Sequence, residues 1–337
     1  MRAIEIRGGF GLDNLQLGER PDPAPGPGEV LLRMRAVSLN YRDLMTVEGS
    51  YNPRQPLPLV PCSDGVGEVA AVGEGVSRVA VGDRVATLFS QGRMGGRPTV
   101  EELRATLGGP LDGTLAELMV LPERGVIRVP EHLSDAEAAT LPCAALTAWS
   151  ALVEQGRVAA GDTVLVQGTG GVSIFALQFA QMLGARVIVL SSSDDKLVKA
   201  RRLGAWQEIN YLDDPQWGKT VRELTGGVGV DHIVEVGGAG TLAQSLQAIR
   251  VGGEISLVGV LAGGASELSI VPVFMKCVRI QGLLVGSRQA FERMNRAVAQ
   301  HELRPVVDGV FPFAQARAAF EHLRSGAHFG KVCIGIE

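Results

Sequence analysis

Residues 163–184 read TVLVQGTGGVSIFALQFAQMLG, and this stretch decides the fold. Thr163 to Gln167 is short, apolar and rich in β-branched residues, the pattern of a strand covered on both faces of a parallel sheet. Gly168, Gly170 and Gly171 follow at once, and from Val172 to Leu183 the apolar residues recur at helical spacing. A strand that passes through a glycine turn straight into a helix presents free backbone N–H groups at the helix N-terminus. This arrangement holds the pyrophosphate of a dinucleotide. Ser173 stands where the fingerprint has its third glycine or alanine, and it is small enough for close helix-to-strand packing.

The dinucleotide is chosen about 20 residues on, where a carboxylate at the tip of the second strand would bind the ribose 2′-hydroxyl of NAD. Here the strand Arg186 to Leu190 ends in Ser191, Ser192 and Ser193. Asp194 and Asp195 fall where the next helix begins, so the expectation is that they cap it. Serine hydroxyls with Lys196 suit a 2′-phosphate, which a tip carboxylate would repel. NADP(H) is therefore expected rather than NAD.

Outward from this segment the chain divides. Up to about Arg128 it shows short strand candidates punctuated by glycine and proline, the pattern of a mostly antiparallel, barrel-like domain of residues 1–128. A dinucleotide domain, residues 129–270, alternates strands and helices as a doubly wound parallel sheet requires: VIVL, a helix over 195–203, HIVEV, a helix over 242–249, and EISLVGV. A tail, 271–337, closes with KVCIGIE, expected to return as a strand to the first domain. Residues 90–112 read as irregular.

With 337 residues the chain is long enough for two cores, and its net charge of −4 offers no basic footprint for nucleic acid. No apolar run reaches the length of a membrane span and the N-terminus lacks a signal-peptide core, so a cytoplasmic protein is expected. Cys62, Cys143, Cys277 and Cys333 are widely spaced and form no CxxC pair, against a disulfide framework and against a cysteine-rich zinc lobe.

NYRDLMTVEGSYN, PLVPCSDGVGEVAAVGEGVSRVAVGDRV, LPCAALTAWSAL, GTGGVS and the closing GKVCI occur in an order that resembles the medium-chain dehydrogenase/reductase superfamily over nearly the whole chain. The resemblance implies an α/β architecture, a Rossmann domain joined to a GroES-like β-barrel domain. GAWQEINY resembles the segment of zinc-free NADPH:quinone reductases whose tyrosine lies beside the adenosine phosphate, which implies that Tyr211 joins Ser191, Ser192 and Lys196 there.

Zinc alcohol dehydrogenases of the superfamily carry their first catalytic ligand three residues before an Asp; the matching positions here are Asn40 and Asp43. Their G-H-E motif is matched by Ser63 and Asp64 in PCSDGVG, and only Cys143 keeps a potential ligand. An amide, a hydroxyl and one thiol make a poor zinc site, and no histidine precedes His132, so no metal is expected.

Without a metal to polarise an alcohol, the expected chemistry is hydride transfer from NADPH to an acceptor that is already electrophilic, a quinone or an α,β-unsaturated carbonyl. The resemblance implies that Asn40 lies on the floor of the active-site cleft, where its amide can donate to the oxygen that gains charge. Asp43 orients its neighbours or hydrogen-bonds backbone at a helix start. Tyr51 falls where relatives carry an active-site tyrosine, and so is a candidate proton donor, although Asn52 follows it where proline is usual; an aromatic that packs a loop is the alternative. Further cofactor contacts are expected from the strand-end residues Val236, Gly237, Gly238, Val258, Gly259 and Val260, and the resemblance implies others from Tyr41, Thr147 and the covering loop Leu284, Val285, Gly286 and Ser287. A homodimer paired through the nucleotide domains is implied by the same resemblance. An alcohol or aldehyde dehydrogenase, and a nucleotide-binding protein with little turnover, are the alternative readings.

Overall fold

The computed structural model describes residues 1–336, which form two compact units. The second unit, Thr147–Val285, is built on six parallel strands. In space they run Gln207–Asn210, Arg186–Ser191, Thr163–Gln167, Val230–Glu235, Ile249–Leu257 and Arg279–Gly282. Chain order therefore reverses beside Thr163–Gln167, the switch point at which doubly wound sheets bind their ligands. Thr163–Gln167 is buried along its whole length, as its unbroken apolar run predicts. Leu165, Ile188, Ile233 and Ile255 from four adjacent strands share one core with Trp217, Val221 and Leu246 from the helices.

The first unit comprises residues 1–146 with the segment returning from Gly286. Its main sheet runs Val307–Pro312, Lys331–Gly335, Glu29–Ser38, Asp64–Val72, Arg84–Thr87 and Val126–Arg128, with Leu118–Pro122 also paired to Glu29–Ser38. All pairings are antiparallel except that of Val307–Pro312 with Lys331–Gly335. A separate two-stranded sheet joins Arg2–Ile6 to Leu15–Glu19. Gly67 explains part of the DGVGE pattern, because a Cβ there would lie 2.8 Å from the Arg33 carbonyl oxygen of the neighbouring strand.

The boundaries differ from those expected at 128 and 270. Residues 135–145 stay with the first unit because their helical run packs on its strands, the Cys333 thiol meeting the Ala136 carbonyl. Residues 271–285 belong to the second because Arg279–Gly282 extends its parallel sheet. The stretch 90–112 is not wholly irregular. Thr99 and Glu102 cap each other's backbone N–H and start a short helix, Val100–Arg104. Among the described residues no helix is long and apolar enough to cross a membrane.

Candidate active site and dinucleotide site

Strand register brings one cluster of candidate residues together within the first unit. Ser38 pairs with Asp64 on one side and with Cys333 on the other. Leu39 continues that ladder, donating its N–H to Val332, so the next residue, Asn40, stands opposite Lys331. The Lys331 ammonium, 3 % exposed, donates to the Leu39 carbonyl and to Asn40 Oδ1, each at 2.5 Å. Asn40 also starts the helix Tyr41–Val47, and its backbone N–H donates to Asp43 Oδ2 at 2.8 Å. Asp43 thus takes the helix-start role foreseen for it.

Next along the sheet end, Ser63 Oγ donates to Asp64 Oδ1 at 2.7 Å, and the Cys143 backbone N–H donates to Asp64 Oδ2 at 3.0 Å. The three positions matching the zinc ligands of the superfamily are therefore brought together. Burial pushes the Asp64 carboxyl up to about 6 against the opposing pull of Lys331. Burial likewise raises Asp43, countered mainly by the Arg42 charge, and drives the Cys143 thiol far from its thiolate.

Arg42 joins this cluster without being singled out by the sequence. Its guanidinium bonds Asp43 Oδ1 and the carbonyls of Leu107, Gly108 and Gly109, and lies 4.8 Å from the centre of the Tyr51 ring. Tyr51 and Tyr41 are both exposed, at 42 % and 48 %, so neither is a core-packing aromatic. The two carboxylates are matched by two cations, as buried charges require. Arg42 sits in the YRD run, but only the folded loop at 107–109 shows what it holds; Lys331 was part of a motif read for fold alone.

The donor set here does not suit zinc. The carbonyl end of Asn40 is held by an ammonium, Ser63 is committed to Asp64, and Cys143 is disfavoured as a thiolate. Among the described residues no group of three or more His, Cys, Asp or Glu side chains is placed to hold a metal ion.

The candidate dinucleotide-binding residues of the glycine turn lie in the second unit. Gly168 has φ of 73°, and Gly170 caps the helix Gly171–Met182, with Val172 in its first turn. A Cβ on Gly168 or Gly170 would meet nothing within 4 Å. Gly170 has φ −76° and ψ −178°, which any residue adopts, so neither backbone nor packing accounts for a glycine there. The open space beside free helix N-terminal N–H groups fits a pyrophosphate. Ser173 Oγ donates to the Gln167 carbonyl at 2.6 Å and ties helix to strand.

At the tip of the second strand, Ser191 is buried and its Oγ accepts the Ser193 N–H, leaving Ser192 as the exposed hydroxyl. Lys196 stands one turn into the following helix, and Tyr211, 39 % exposed, is fixed by its N–H to the Ser191 carbonyl. Asp194 and Asp195 do not cap that helix: they lie in its first turn, Ser193 is the N-cap residue, and Asp194 accepts from the Asn210 amide.

Sequence reading also missed Glu235, a fully buried carboxylate at the end of its strand. It accepts from the N–H groups of Gly237 and Gly238, the hydroxyls of Thr241 and Ser245, and the Gln167 amide, and so shapes the strand-end loop that carries Gly237. Val258, Gly259 and Val260 follow the next strand, Ile249–Leu257, and Thr147 is buried at the start of the unit. Leu284 is exposed, whereas Val285 is buried with φ 53°, a left-handed backbone uncommon for a β-branched residue; Gly286 belongs to the first unit.

Residues 26–131 match the alcohol dehydrogenase GroES-like domain, and residues 171–300 match the zinc-binding dehydrogenase domain. A zinc-type alcohol dehydrogenase-like protein of Schizosaccharomyces pombe is 42 % identical over 97 % of this chain and 96 % of its own length. The crystal structure of a putative alcohol dehydrogenase from Sinorhizobium meliloti superposes with a TM-score of 0.93 at 44 % identity, covering 99 % of this chain and 98 % of that one. A structure described as an NAD-dependent alcohol dehydrogenase gives a TM-score of 0.92 at 37 % identity over the whole of both chains. Other relatives are described as acryloyl-coenzyme A reductases and quinone oxidoreductases, and one mycobacterial structure carries NADPH. The chain belongs to the medium-chain dehydrogenase/reductase superfamily, and is an oxidoreductase built from a GroES-like domain and a Rossmann nucleotide-binding domain.

Proposed function

We propose that the protein is a zinc-independent, NADPH-dependent reductase that transfers hydride to a quinone or an α,β-unsaturated carbonyl. The observation that carries this reading is Asn40, an amide whose oxygen is held by the Lys331 ammonium at a position where zinc relatives carry a cysteine ligand. When bound, NADPH supplies the hydride. Asn40 then donates from its amide to the acceptor oxygen as charge develops there, while Arg42 and Asp43 hold the helix start in place. Tyr51, exposed beneath the Arg42 guanidinium, is the candidate donor of the proton that follows. Ser192, Lys196 and Tyr211 support the choice of NADP(H), because no carboxylate stands at the strand tip to repel a 2′-phosphate.

The acceptor and the cytoplasmic location are part of the same reading, as is a homodimer. Edge strand Arg279–Gly282 and the exposed Ile270, Phe274 and Met275 beside it support pairing through the second unit. An alcohol dehydrogenase is the second reading, favoured by the descriptions of two similar solved structures. Consumption of NADPH and NADH against quinones, 2-enoyl thioesters, enones, aldehydes and alcohols, with and without chelator, separates the two. Chelator-insensitive turnover of quinones or enones with NADPH is expected; chelator-sensitive alcohol oxidation with NAD would replace the proposal with the second reading.

A further inference from the structure

Asn40 has an asymmetric set of partners. Its Oδ1 accepts from Lys331, whereas its Nδ2 is buried, completes no hydrogen bond, and stands near enough to Asp64 to favour that carboxylate's charged form. A lysine ammonium has donors and no acceptor, so it can engage only the oxygen end of the amide. The orientation of Asn40 is thereby settled, with its NH2 turned away from Lys331. Without the ammonium the amide would be free to turn its NH2 fully onto Asp64, whose neighbouring carboxylate is the strongest acceptor at hand.

We propose that Lys331 is a positioning residue of the acceptor site. Its ammonium locks the Asn40 amide with the NH2 available to the acceptor oxygen, and polarises that amide by a charge-assisted bond to its carbonyl end. The inference rests on the reading of Asn40 as the group that meets the acceptor. Three features carry it: Lys331 is almost fully buried, it follows on the ladder that ends with the Leu39 N–H donating to Val332, and both its assigned bonds go to the turn Leu39–Asn40 rather than to a carboxylate. A lysine retained merely to neutralise Asp43 or Asp64 would make its hydrogen bonds to them.

The test is a kinetic square of wild type, Asn40→Ala, Lys331→Met and the double variant, with NADPH as reductant and the best acceptor from the panel. Each single variant is expected to lower kcat by about 100-fold, the scale for losing one such donor, with little change in NADPH affinity. The double variant is expected to be no slower than Asn40→Ala, because Lys331 has nothing to position once the amide is gone. Lys331→Met within threefold of wild type, or losses that multiply in the double variant, would overturn the proposal. An unimpaired Asn40→Ala would instead sink the reading of Asn40 on which it rests.

Lys331→Gln, which keeps a donor without the charge, serves where the methionine variant does not fold, and an intermediate loss of about tenfold is expected of it; activity equal to wild type would overturn the charge component. A readout independent of turnover comes from selective ¹⁵N-asparagine labelling, since the chain has only Asn14, Asn40, Asn52, Asn210 and Asn295. The Asn40 side-chain pair, assigned by its loss in Asn40→Ala, should move in the Lys331 variants while the other four stay. An unmoved pair would refute the lock.

Discussion

Gly170→Ala separates a glycine kept for the fold from one kept for a ligand. The backbone there is extended, with φ −76°, so alanine introduces no strain, and its Cβ enters empty space. Two small terms act on stability. Alanine is poorer than glycine at a helix N-cap by roughly 0.5 kcal/mol, and it lowers the entropy of the unfolded chain by a similar amount, about 0.4–1 kcal/mol. They nearly cancel, and the melting temperature should stay within about 2 °C of wild type. Binding is another matter, because the new methyl occupies the space through which backbone N–H groups reach the pyrophosphate. Loss of one or two hydrogen bonds to a charged group, at about 1.5–3 kcal/mol each, weakens NADPH by roughly 10- to 10⁴-fold, centred near 100-fold. Fluorescence titration with NADPH, run beside thermal unfolding, measures both. Binding within threefold of wild type would refute the assignment of that space to phosphate, and a fall of many degrees in melting temperature would show that the glycine serves the fold. Gly168→Ala is the control, since φ of 73° predicts a direct cost of about 1–2 kcal/mol.

Asp64 should make stability fall with rising pH. Its carboxyl titrates near 6 in the folded protein against 3.8 when unfolded, so the native state binds the extra proton between those values. The contribution is full below about pH 4 and lost by about pH 6, a span worth about 3 kcal/mol. The advantage of wild type over Asp64→Asn should shrink accordingly in melts from pH 4 to pH 7, and a pH-independent difference would contradict the burial argument. Lys196→Ala should weaken NADPH by about tenfold and leave NADH unchanged, read by competitive titration; equal loss of both would remove Lys196 from the 2′-phosphate. Glu235→Gln turns one acceptor oxygen, facing converging donors, into a donor. A loss of about 2–3 kcal/mol is expected, seen as a lower melting temperature together with weaker NADPH binding, and an unchanged melt would refute the role of Glu235 in shaping the loop.

The second unit was legible because its information is local. A strand, three glycines and a helix lie within 22 residues, and the burial of Thr163–Gln167 follows from its composition. The antiparallel character of the first unit is readable from its turns, whereas the helix Val100–Arg104 is only five residues long and its Thr99 and Glu102 signature stands in a glycine-rich stretch that lacks helical periodicity. At the site, Asn40, Asp43 and Asp64 were recognisable from motifs. Arg42, Lys331 and Glu235 were not, because each acts through partners that only the tertiary fold supplies: loop carbonyls at 107–109, a strand-end amide, and donors on a neighbouring strand. The partner of Asp194 is likewise invisible in the sequence, since Asn210 lies 16 residues away at the end of the strand Gln207–Asn210.

The contact between Asn40 and Lys331 spans 291 positions of the chain. The nucleotide-binding unit is one continuous segment, 147–285, and is complete on the ribosome before the residues that finish the other unit have been made. The cluster around Asn40 is thus assembled last, by the strand that carries Lys331 as it enters the sheet beside Glu29–Ser38. A chain stopped short of that strand would lack the lysine and the closing sheet register, so a prematurely ended copy would have a complete nucleotide-binding unit and an unfinished first unit.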